Sequence, residues 1–155
     1  MMLEQGFAQI AQALLWPVLV LVGLGFIYAL WVAGATLMEA LQRWRAPGVL
    51  SALGRHADKP LEEIELQVVR QLEPLRLLGR VSPLLGLIAT MVPLGPALQS
   101  VAAGQGQQAL AVFSGAFAGV VLALAAAAVG LVAYSVRRRW LMAELVSIRS
   151  SRGLV

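Results

Sequence analysis

From Val81 to Val136 the sequence contains no charged residue, and that run limits what the chain can become more than any other feature. About 20 apolar residues suffice to cross the hydrocarbon of a bilayer, so the run is too long for one crossing. Its middle, QSVAAGQGQQ (Gln99 to Gln108), is polar and glycine-containing. The run therefore reads as a hairpin, with one span from about Val81 to Leu98, a short turn, and another from about Ala109 to Val136. Lipid-facing backbone must satisfy its own polar groups, and segments this apolar and alanine-rich do so as helices.

A second uncharged run, Ala13 to Met38, is long enough for a further span. The segment before it holds Glu4 and no basic residue, and the apolar run exceeds the h-region of a signal peptide. The composition agrees: 13% of residues are charged and 59% hydrophobic, where soluble domains carry about 25% charged residues. The expectation is an all-α polytopic membrane protein with three transmembrane helices, forming a single domain over residues 1–155.

Glu39 to Arg80 is polar and separates the first span from the hairpin. Within it, Leu61, Ile64, Val68, Leu72 and Leu75 recur at helical spacing. Pro60 precedes them and three glutamates fall in the first turns, where the helix dipole favours acidic groups. This predicts a short amphipathic cytoplasmic helix, able to bend at Pro74, that packs on its neighbours or lies at the membrane surface.

All 12 basic residues lie either in this stretch or in the tail from Arg137 to Arg152, and neither the N-terminus nor the hairpin turn carries any. The positive-inside rule then predicts an outside N-terminus and a cytoplasmic C-terminus, with residues 39–80 and 137–155 cytoplasmic. Trp44 and Trp140 stand beside the basic clusters, at the level of an interfacial aromatic belt. The net charge of +4 does not point to nucleic acid, because the basic residues adjoin apolar runs without interleaved aromatics. With no cysteine, thiolate chemistry and disulfides are excluded.

The spans hold no ionisable side chain, and the one histidine, His56, falls in the cytoplasmic segment as a solvated loop residue. No carboxylate pair, metal-ligand cluster or phosphate-cradling glycine loop is present, so neither enzymatic activity nor a cofactor is expected. A substrate-coordinating cluster, as a permease would need, is missing as well. What remains is polar and small residues at particular depths. Thr90 lies ten residues after Arg80, roughly 15 Å along a helix and so close to the bilayer midplane. Pro93 removes the backbone bond to the Ala89 carbonyl. A freed carbonyl beside a hydroxyl could bind a proton, a water or a partner's carboxyl; alternatively Thr90 bonds its own preceding turn and Pro93 only kinks the helix. In the third span Gly115, Gly119 and Ala123 recur every four residues, a small-residue face suited to span two, a neighbouring subunit or an inserted partner helix.

SPLLGLIATMVPLGPAL (Ser82 to Leu98) resembles the LGLLGTVxG element of the MotA/TolQ/ExbB proton-channel family, with Gly86, Leu87 and Thr90 in matching places. GLVAYSVRRRW (Gly130 to Trp140) is similar to the family's closing stretch, an alanine-tyrosine pair before a basic cytoplasmic exit. The order of spans agrees as well. The resemblance implies an inner-membrane channel or stator-like subunit, five copies of which surround single-span partner helices of the ExbD/TolR/MotB type. Each partner carries an intramembrane aspartate that protons neutralise as they cross. Thr90 would line that ion pathway, Ser82, Pro83 and Pro93 would shape span two, and Gly86, Gly115, Gly119 and Ala123 would pack helices or contact the partner. The same register puts Val120 where ExbB-like members have a second threonine and Gly115 where they have a glutamate. Those departures keep open an alternative, a non-conducting scaffold subunit of a membrane transport complex.

Overall fold

The computed structural model describes residues 2–45, 53 and 59–153 of the chain. Arg55 and His56 lie outside the described residues, so the loop role expected of His56 is not addressed. Three helices account for nearly all the described residues: α1 (Met2–Arg45), α2 (Leu61–Ala102) and α3 (Gly106–Ser151). Each is long and apolar enough to cross a membrane. At 1.5 Å per residue each runs to roughly 65 Å, about twice the hydrocarbon thickness. The helices therefore extend past the apolar layer, and α2 and α3 do so together at the end that carries the basic residues.

The polar stretch departs from expectation in one respect. The stripe Ile64, Val68, Leu72 and Leu75 is buried as predicted, but it belongs to no separate short helix. It is the first half of α2, which continues without interruption into span two through Pro74 and Pro83. Each proline removes one backbone bond, freeing the carbonyls of Arg70 and Gly79 respectively. The buried face nevertheless continues unbroken through Leu78, Ser82, Gly86 and Ala89. Burial of that continuous face outweighs the local cost of the prolines. Pro60 starts the helix, its carbonyl accepting from the amides of Glu63 (3.1 Å) and Ile64 (3.3 Å).

Outside the apolar layer, Ile64, Val68 and Leu72 of α2 pack with Leu53 and with Leu141 of α3, flanked by Tyr134, Leu145 and Ile148. This small core is of the kind found in soluble proteins, and it joins the halves of the two helices at the basic end. Within the apolar layer the contacts change character, from leucine and isoleucine to alanine and glycine. There α1 lies against the pair, burying Val18, Val22, Ala29 and Val32 among α2 and α3 residues.

The hairpin turn is tighter than the polar stretch suggested, because both helices run into it. Gly104 has φ +76°, its amide donates to the Val101 carbonyl (3.0 Å), and the Gln105 amide donates to the Ser100 carbonyl (2.9 Å). These two bonds make a Schellman cap, which needs a left-handed residue at this position. Glycine adopts that conformation without the steric cost of a Cβ.

Candidate ion pathway and helix seam

The site is built on the antiparallel seam of α2 and α3, where glycines set how closely the backbones approach. A Cβ at Gly79 would lie 2.7 Å from Leu131 Cδ2, and one at Gly130 would lie 3.1 Å from the Gly79 nitrogen. One turn and more along, a Cβ at Gly86 would fall 2.9 Å from the Cβ of Ala123 and 3.6 Å from the Cα of Val120. Further on, a Cβ at Gly119 would meet Ala89 Cβ and Leu19 Cδ2, both at 3.6 Å. Small residues in register thus let dispersion contacts form along the whole crossing.

Gly86, Gly119 and Ala123 are therefore packing residues within one chain: the small-residue face of α3 meets span two. Gly115 is not part of it. It is exposed, and a Cβ there would have nothing within 4 Å. Its expected packing role, if it has one, is toward something outside this chain. Gly79 and Gly130, which close the seam most tightly, were not singled out from the sequence; the seven-residue step from Gly79 to Gly86 was the available signal.

Thr90 lies one turn beyond Gly86. Its hydroxyl donates to the Leu87 carbonyl (2.9 Å) and sits 3.4 Å from the Gly86 carbonyl oxygen. The side chain thus bonds its own preceding turn, and its proton is engaged. Its oxygen lone pairs are not used by those bonds, so the hydroxyl can still accept from a donor. The residue is neither fully buried nor fully exposed. Pro93 lies inside the helix and cannot donate to the Ala89 carbonyl, and Ala89 itself is buried against α3. Val120, the position expected to be polar by resemblance, contacts the same Gly86 whose carbonyl lies near Thr90.

Ser82 is set apart from Thr90. It is buried, and its Oγ lies 3.8 Å from where a Cβ on Gly25 would stand, which places it at the contact between α1 and α2. Pro83 follows it inside the helix. These two residues lie inside α2, two turns before Thr90, and do not converge on it.

At the basic end, ion pairs form a collar between α1 and α3. Arg43 bonds Glu144 (2.5 Å) and Glu39 (3.1 Å), and its guanidinium lies 4.7 Å from the centre of the Trp140 ring. Arg137 pairs with Glu39 at 3.6 Å. Glu144 also accepts from the Leu53 amide (3.0 Å), fastening the segment after α1 to α3. Partial burial pushes the Arg43 guanidinium down, but hydrogen bonds and attraction from Glu144 and Glu39 outweigh it and hold its pKa above the usual value.

Three long apolar helices, a proline-bearing second helix that carries Thr90, and a basic stretch late in the third form one ordered pattern. Residues 32–149 match the model of the MotA/TolQ/ExbB proton channel family. The chain belongs to that family. The match runs from the middle of α1 to near the end of α3, so it takes in the seam, Thr90 and the collar together. Searches of curated proteins and of solved structures gave no match. Membership makes the protein a multi-pass membrane subunit of a proton-channel or stator type, in a family associated with transport and not with enzymatic turnover.

Proposed function

We propose that this protein is the channel subunit of a proton-motive-force-driven complex in the cytoplasmic membrane. It sits with its N-terminus outside and both basic segments in the cytoplasm, as a homopentamer around single-span partner helices of the ExbD/TolR/MotB type. The observation that carries this reading is the pairing of spans without any acidic or basic side chain with a hydroxyl, Thr90, whose lone pairs are available. A bilayer-depth carboxylate is costly and is normally functional where it occurs. A channel that lacks one in its own spans depends on a partner to bring it.

On this reading Thr90 accepts a hydrogen bond from the protonated partner carboxyl or from water beside it. Pro83 and Pro93 leave carbonyls along α2 without their usual donors, and these add acceptors along the same helix. The test is Thr90→Val, which keeps the shape and removes the hydroxyl. Proton flux in vesicles containing the protein and its partner should fall, while co-purification of the two is unchanged. Full flux in that variant would remove Thr90 from the pathway.

A second reading has a specific observation behind it. Val120 and Gly115 supply no polar group where related channels have them by resemblance, and the Thr90 proton is already bonded to Leu87. These features suit a scaffold subunit that assembles a transport complex without conducting. A neighbouring reading frame for a single-span protein with an aspartate in its span favours the channel, and the lack of one favours the scaffold.

A further inference from the structure

Between α1 and α3, on the side away from the α2 seam, lies a groove of about 400 Å³. Its walls are almost entirely apolar: Ala33, Thr36 and Ala40 on α1 face Ala128, Val132 and Ala133 on α3. The volume falls in the range of about 300–1,000 Å³ typical of ligand sites. One turn beyond Ala133 stands Arg137, and three residues beyond Ala40 stands Arg43, so the groove leads toward the charged collar. A second cavity, of about 290 Å³, is lined by Glu39, Gln71, Arg137, Trp140 and Leu141 at the level of the collar.

Among the described residues, Thr36 Oγ1, Arg43 Nε and Arg137 Nε are buried without a hydrogen-bond partner. Buried donors without acceptors are costly, and more so in a membrane. The carboxylates on hand, Glu39 and Glu144, already bond the terminal nitrogens of these arginines. Arg43, Arg45 and the run from Arg137 to Arg139 also leave a positive surplus over Glu39 and Glu144 at this level. An anion with an apolar tail complements both the apolar groove and this positive surplus.

We infer that the groove holds an anionic phospholipid of the leaflet on the basic side. One acyl chain lies along the alanine-lined walls, and the phosphate sits at Arg137 and Arg43 beside Trp140. The ester oxygens reach the depth of Thr36, about one and a half turns further in. Arginine suits this role because its planar fork presents several donors to a phosphate at once. The lipid would tie α1 to α3 along the groove.

The experiment is native mass spectrometry of the purified full chain in mild detergent, titrated with phosphatidylglycerol, with diacylglycerol as the headgroup-free probe. Two variants decide it. Ala128→Phe fills the groove from an exposed position, clear of the α2 seam. Arg137→Gln removes the phosphate partner. Ala111→Phe, equally exposed but near the hairpin end, is the control. The expected result is one saturable phosphatidylglycerol per protomer in the wild type and the control, lost in Ala128→Phe. Arg137→Gln should weaken it by about tenfold or more, the worth of a hydrogen bond to a charged group. Circular dichroism and oligomer mass establish that each variant is folded. Equal retention in all four proteins overturns the proposal, as does diacylglycerol binding as tightly as phosphatidylglycerol. An Ala128→Phe change in subunit number, with lipid occupancy unaltered, assigns the groove to a second copy and also overturns it.

Discussion

The closest rigid contact in the seam makes a quantitative test of how glycine sets it. A methyl group at Gly86 would stand 2.9 Å from the Cβ of Ala123, where carbon atoms prefer about 3.5–4.0 Å. A Cβ is fixed by its own backbone, so no side-chain rotation relieves the overlap, and α2 and α3 must part locally. Overpacking of this kind costs about 1–3 kcal/mol. Alanine is also the better helix former, by about 0.8–1.0 kcal/mol, which partly hides that cost. Gly115→Ala supplies the correction, since a Cβ there meets nothing within 4 Å and gains helix propensity alone. The difference between Gly86→Ala and Gly115→Ala should then be the clash itself, about 1–3 kcal/mol. For a chain of this length that is a melting-temperature difference of roughly 2–12 °C, followed by tryptophan fluorescence in detergent. Pairing Gly86→Ala with Ala123→Gly moves the methyl group from one helix to the other and should recover most of the loss. Equal melting of the two single variants, or no recovery in the double variant, would refute the seam as described. A Gly115→Ala variant that is itself destabilised would place another chain against that face.

Other perturbations have separate readouts. Val120→Thr adds a hydroxyl beside the Gly86–Thr90 turn and should raise proton flux in vesicles containing the partner; unchanged flux would count against that stretch as the path. Gly104→Ala forces a Cβ into a left-handed conformation and should cost about 1–2 kcal/mol of thermal stability, without changing assembly. Glu144→Gln weakens the bonds to Arg43 and Leu53, an effect of about 1–2 kcal/mol for charge-assisted bonds of this partial burial. It should speed proteolytic cleavage between α1 and α2, and normal resistance would show the collar to be dispensable.

Much of this architecture was legible in the sequence because the membrane imposes simple rules. Charge-free length marks the spans, and the polar break after Leu98 marks the hairpin. The stripe from Ile64 to Leu75 shows its period without help from tertiary contacts. The continuity of α2 was not legible for a physical reason. Pro74 and Pro83 are local breakers, whereas what keeps the helix whole is burial against α3, a contact remote in sequence. The face of α3 was misassigned at one residue for a geometric reason. Steps of four residues drift by about 40° each on a helix of 3.6 residues per turn. Gly115, two such steps from Ala123, is therefore rotated off the face. The true seam alternates steps of three and four through Ala116, Gly119, Ala123, Ala126 and Gly130.

The orientation of one hydroxyl bears on how the proposed channel could couple protonation to movement. Thr90 donates to Leu87, so what it presents to a partner is an acceptor. An acceptor favours a protonated carboxyl, which can donate to it, over an ionised carboxylate, which cannot. The same apolar surroundings penalise the ionised form further. A ligand shifts an equilibrium only by its differential affinity for the two states. Here the two states are the protonated and ionised partner, and Thr90 distinguishes them by hydrogen-bond polarity alone. Retained flux in Thr90→Ser together with lost flux in Thr90→Val would separate this from a purely steric role. If serine failed as completely as valine, the methyl group and not the hydroxyl would be the feature that matters at this depth.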